Sequence, residues 1–157
     1  MHAAVEETVQ ARLILSTHRS ARLRVILAYR PQDPLAVRMG FPAEFSLDEP
    51  ADDHGPDAGP DAERDPGPGT GPDIEWVFAR QLLTTGLELA AGVGDVHVRP
   101  AAGRRTMVEL RAPEGTALVQ FDTTDLRRFL WHSRLAVPEG EEHLYLDADR
   151  ALAELLG

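Results

Sequence analysis

The chain contains no cysteine and no lysine, few aromatic residues, and no long apolar run. Without cysteine there can be no disulfide, no thiolate nucleophile and no thiolate-ligated zinc. Without apolar runs of roughly 20 residues there is no helical membrane span to expect. The N-terminal "MHAAVEETVQAR" lacks a basic stretch followed by an apolar one, so no signal peptide is read there. A cytoplasmic chain is the expectation. All 16 basic residues are arginine, which together with abundant Ala, Gly, Pro and Asp points to a GC-rich genome rather than to a selected property.

What is present is unevenly placed. The formal charge of −10 sits almost entirely in residues 42–73, where ten carboxylates face the single Arg64. The rest of the 157-residue chain is close to neutral. Within that stretch, "PADDHGPDAGPDAERDPGPGTGPD" is too poor in apolar side chains to offset its ordering entropy. Disorder is therefore expected over about residues 48–72, as an insertion in one domain spanning residues 1–157. The Asp spacing lacks the alternating ligands and closing Glu of a calcium loop.

The flanking segments alternate with the period of strands. Val9, Ala11, Leu13 and Leu15 share one face, as do Leu23, Val25, Leu27 and Tyr29, then Leu35, Val37, Met39 and Phe41. Ile74, Trp76 and Phe78 alternate before helical spacing begins at "ARQLLTTG", with Gly86 as the expected C-cap. Three short strands follow, "DVHVRP", "TMVELRA" and "TALVQF". A helix from about Thr123 comes next, capped by Asp122, with Leu126, Phe129, Leu130 and Ser133 inward. A last helix is expected from Asp147, after a strand-like "HLYL". The fold class read from this is α+β, antiparallel sheets with helices in the order β4-α-β3-α-α.

Catalytic chemistry finds no foothold. "GVGDVHVRP" places its glycines after a helix and before a strand, the reverse of a phosphate-binding loop, and reads as a turn with a solvated His97. The six histidines show no metal-binding spacing, and no GxSxG motif is present. No catalytic, cofactor-binding or metal-binding residue is assigned. Two surface features stand out. Arg12, Arg24, Arg38, Arg99 and Arg111 lie on outward strand faces and are candidate partner-binding residues. Trp131 and Leu135 fall off the inward stripe of their helix and, with Tyr145, are candidates for an oligomer interface.

"DPLAVRMGF", "EWVFARQLLTTGL", "GVGDVHVRP", "APEGTALVQF" and "FLWHSRLAVPEGEEHLYLDADRALAELL" together resemble the SsgA-like proteins of sporulating actinobacteria, closest to the SsgB-type members. The resemblance runs from about Val5 to Leu156. It departs from the family near Pro42–Pro72, where the family has a short link. It implies a non-enzymatic morphogenetic protein of sporulation-specific cell division, which helps place the tubulin-like FtsZ ring or wall-synthesis proteins. It also implies a Whirly-like fold of two antiparallel sheets with helices, and a homotrimer. The implied partners are FtsZ, another SsgA-like protein or a further component of the division machinery, at division septa, with membrane contact only through partners. The alternative is a single-stranded nucleic-acid binder, suggested by the Whirly-like fold. Few outward aromatics and the acidic charge oppose it, so no nucleic acid is expected.

Overall fold

The computed structural model describes residues 4–42 and 74–146. The acidic insertion and the helix expected from Asp147 lie outside the described residues. The first half comprises β1 (Val5–Ser16), β2 (Arg19–Tyr29), β3 (Ala36–Phe41), β4 (Ile74–Ala79) and the short helix α1 (Arg80–Gly86). The second comprises β5 (Ala91–Val93), β6 (Val96–Ala101), β7 (Arg105–Ala112), β8 (Gly115–Asp122) and α2 (Thr123–Ala136). Residues 142–146 are helical.

All strand pairs are antiparallel, in one sheet of order β4-β3-β2-β1-β8-β7-β6-β5. The resemblance implies two sheets; the described strands instead form a single sheet, whose two four-stranded halves are continuous through the β1–β8 ladder. They are joined at the seam by the pairs Ala11↔Phe121, Arg12↔Gln120 and Leu13↔Val119. Each half is a meander closed by a helix.

The inner face follows from the period-2 pattern. Ala21, Leu23, Val25, Leu27 and Tyr29 alternate inward along β2, and Val96, Val98, Val108, Leu110, Val119 and Phe121 continue the core into the second half. Leu35 and Ile74, expected inward, are exposed where their strands begin. Over this face lies α2, with Leu126, Phe129 and Leu130 fully buried and Ser133 beside them. The i, i+3, i+4, i+7 spacing makes that stripe. Asp122 caps the helix, its side chain accepting a hydrogen bond from the Thr124 N–H at 3.2 Å.

Three local readings are corrected. The second half has four strands, because Ala91–Val93 pairs with Val96–Val98 as β5. "GVGD" is therefore a hairpin rather than a helix-to-strand turn. Gly94 takes φ +64 at the first position of its two-residue loop, where a primed turn calls for glycine. His97 is half-buried rather than solvated. Its ring lies across Gly92, the residue it pairs with, and a Cβ there would collide with it. Gly86 is not a left-handed cap either. It is buried at the end of α1, where a Cβ would collide with Val98 of β6, so its role is close helix–strand approach. The cap position is Leu87.

Candidate interaction surfaces

The outer face of the sheet is set by the same register. Residues directly opposite in an antiparallel pair project to one side. One row across the face runs Arg22, Arg12, Gln120, Met107 and Arg99, through the pairs Arg12↔Arg22, Arg12↔Gln120, Met107↔Gln120 and Arg99↔Met107. A neighbouring row holds Arg24 opposite Gln10, and Arg105 opposite Asp122. All five arginines singled out from the sequence lie on this face.

They are not equivalent. Arg38 is clasped between Asp33 at 3.1 Å and Glu75 at 3.4 Å. Arg99 and Arg111 share Glu109, at 3.8 and 3.0 Å. Among the described residues Arg12 hydrogen-bonds only the Ser20 hydroxyl, at 3.2 Å, and it is joined by Arg22 and Arg105, which the sequence reading did not single out. Gln10, Arg12, Arg22, Arg105, Gln120 and Asp122 line a recess of about 350 Å³ at the seam.

The other surface lies between α1 and α2. Trp131 is 56% exposed and Leu135 66% exposed, one helical turn apart on α2, as expected off the inward stripe. Trp131, Leu87 and Leu130 with Arg127, Arg128 and Arg134 line a groove of about 510 Å³. Tyr145 differs from the reading given to it. Its segment is helical rather than strand-like, and the ring packs partly against the chain's own core, the hydroxyl donating to the Ala136 carbonyl at 3.4 Å.

The residue that sequence reasoning missed is Arg80, which is 2% exposed. Its Nη1 donates to the Ser133 carbonyl and hydroxyl, both at 3.1 Å, and its Nη2 to Glu142 Oε2 at 2.7 Å. Burial alone would raise the Glu142 carboxyl. Hydrogen bonds from Arg80 and from the Gly140 N–H outweigh it and hold the group below its usual range. Burial likewise pushes the Tyr29 hydroxyl up to about 12, against the opposing charge of Arg80. The available signal was helical phase, since Arg80 precedes the inward Leu83 by three residues. His132 of α2 contacts Glu7 of β1 and ties the helix to the first strand. These contacts hold elements together.

Among the described residues no helix is long and apolar enough to cross a membrane. The family described as "Streptomyces sporulation and cell division protein, SsgA" matches residues 64–142. The sporulation-specific cell division protein SsgB of Kineococcus radiotolerans is 41% identical over 122 residues, covering 74% of this chain and 70% of that protein. SsgB of Salinispora tropica is 35% identical over 155 residues, covering 97% and 92%. Among solved structures, an SsgB studied for mutations that correlate to longitudinal cell division during sporulation of Streptomyces coelicolor superposes with a TM-score of 0.70. It is 30% identical, with 92% of this chain and 97% of that one covered. The SsgA-like sporulation-specific cell division protein of Thermobifida fusca gives a TM-score of 0.74 at 28% identity, covering 98% and 96%. With the family matched over residues 64–142 and 35% identity to an SsgB over 97% of its length, the chain belongs to the SsgA family of sporulation and cell division proteins.

Proposed function

We propose that this protein is a non-enzymatic scaffold of sporulation-specific cell division, recruited to division septa, where it helps place the FtsZ ring or wall-synthesis proteins. The observation that carries the reading is similarity to SsgB proteins over 97% of the chain, helices and both sheet halves included. The same proposal includes a Whirly-like arrangement, supported by two four-stranded halves each followed by a helix, and a homotrimer. A scaffold needs surfaces rather than a pocket, and the outer sheet face and the α1–α2 groove supply two. Single-stranded nucleic acid is a poorer fit to the outer face. Its described strand positions carry arginines but no Phe, Tyr or Trp on which bases would stack.

A fluorescent fusion imaged in sporulating hyphae tests the reading. Bands at future septa, at or before FtsZ ladders, are the expected outcome. Uniform fluorescence through septation would overturn it.

A further inference from the structure

The arginines of the outer face divide by what they touch. Arg38, Arg99 and Arg111 are ion-paired, Arg38 with Asp33 and Glu75, and Arg99 and Arg111 with the one carboxylate of Glu109. Arg12, Arg22, Arg24 and Arg105 meet no carboxylate among the described residues, and they are neighbours. Arg12 stands directly opposite Arg22, and Gln10, beside Arg12 in the ladder, stands opposite Arg24. Like charges placed directly opposite across a ladder destabilise it. The sheet therefore holds uncompensated positive charge around the seam recess, while its other outer arginines are paired.

We propose that this recess binds an acidic segment of a partner protein. The guanidinium groups of Arg12, Arg22 and Arg105, which line it, hold its carboxylates, with Arg24 adding positive charge beside Gln10, and the amides of Gln10 and Gln120 hold its backbone. This deepens the scaffold reading and rests on it. A planar guanidinium fork matches a carboxylate in bidentate fashion. Half-buried Met107, in the same row as Arg12, offers contact to an apolar side chain of the segment. A nucleic-acid strand is the weaker occupant. The single aromatic ring at the recess, Phe121, is 1% exposed and faces the core. A second copy of the chain would bring the same positive charge to the same face, so a self-complementary contact there is repulsive. Asp122 forms one wall, but its carboxylate already caps α2.

The test is fluorescence anisotropy of the full chain with a short labelled peptide of glutamate, aspartate and leucine. Saturable binding that weakens as salt rises is expected, because exposed charges are screened. Arg12→Gln with Arg22→Gln should weaken it by about tenfold or more, as truncation at a charged contact does. Arg99→Gln with Arg111→Gln should leave it within about twofold, since neither side chain lines the recess. The seam variant should melt no lower than the unmodified chain, because it removes a like-charge opposition. Absence of saturable binding would overturn the proposal, as would equal weakening in both double variants. So would a single-stranded oligonucleotide that binds as tightly as the peptide. Binding that appears only after residues 43–73 are replaced by a Gly-Ser link would instead assign the recess to the chain's own acidic segment. Peptide binding is read in solution and septal placement in hyphae, so failure of either stays distinct from failure of the other.

Discussion

The guanidinium carbon of Arg80 stands 4.7 Å from the centre of the Tyr29 ring. That contact, with the bonds to Ser133 and Glu142, joins α1, β2, α2 and the helical turn at 142–146 through one side chain. Breaking one side of a buried ion pair typically costs 3–5 kcal/mol, and Glu142, 18% exposed, can turn partly to water. Arg80→Ala is therefore expected to lower stability by about 3 kcal/mol in urea unfolding. Arg80→Met, which keeps the volume, should cost less. Amide exchange at residues 142–146 should accelerate in both variants. A loss below about 0.5 kcal/mol, the range of ordinary surface changes, would show that the side chain is idle.

The same cluster should contribute to both ends of the pH profile. The folded-state carboxyl of Glu142 is depressed, so its stabilisation is present above the ordinary glutamate value of about 4.3 and is lost as pH falls through the folded value. Tyr29 behaves oppositely. Its hydroxyl, raised to about 12, stays protonated in the folded chain while the unfolded chain ionises from about 10. Stability should therefore fall between those two pH values. Tyr29→Phe should flatten the alkaline limb, and Glu142→Gln should flatten the acid limb. An alkaline limb unchanged in Tyr29→Phe would assign that loss of stability to other groups.

Gly86 and Gly94 resist substitution for different reasons, which separates two mechanisms. At Gly86 an added methyl would collide with Val98, so Gly86→Ala should destabilise by about 1–3 kcal/mol, as overpacking does. Val98→Ala in the same chain should recover part of that loss. At Gly94 nothing lies within 4 Å, and only φ +64 opposes a side chain. Gly94→Ala should cost about 1–2 kcal/mol, with no rescue from any neighbour. A Gly86→Ala cost that simply adds to that of Val98→Ala would exclude the steric account.

Much of the sheet was legible because its inner face alternates with period 2 between turn signals, as in Leu23–Tyr29. The phase of α2 was legible because Asp122 marks its start and Leu126, Phe129 and Leu130 mark one side. What escaped was set by partners distant in sequence. β5 is three residues long, too short for any period, and exists because Val96–Val98 offers it a ladder. Gly86 looks like a helix end until Val98 is seen against it. Tyr145 alternates like a strand residue, but its ring is held by the core and by the Ala136 carbonyl. The outward arginines were found by alternation alone. Which of them are ion-paired depends on cross-strand register, and Arg22 and Arg105 entered only through that register.

The hairpin of β3 and β4 closes on the pair Phe41↔Ile74. Replacing residues 43–73 by a link of about six residues should therefore leave the sheet intact. Shorter loops lose less entropy on closure, so the change should raise stability by about 1.5 kcal/mol or less. A fall in melting temperature of several degrees would show that the replaced residues support the fold.

The homotrimer we propose should draw on α2. Trp131 and Leu135 form an exposed apolar strip one turn apart, with Leu89, 60% exposed, near the other helix. Residues of this kind at the centre of an interface contribute about 2 kcal/mol or more each when truncated. A ring of heterologous contacts buries such strips in every protomer without leaving an open edge. Light scattering should give a mass near three times 17.2 kDa. Trp131→Ala with Leu135→Ala should move it toward the monomer while circular dichroism stays unchanged. Tyr145→Phe should leave the mass alone, because that ring packs on its own core. A monomeric mass for the unmodified chain at concentrations of tens of micromolar would exclude the trimer. A trimer indifferent to both α2 substitutions would place its contacts elsewhere, leaving the strip beside the α1–α2 groove free for a different protein.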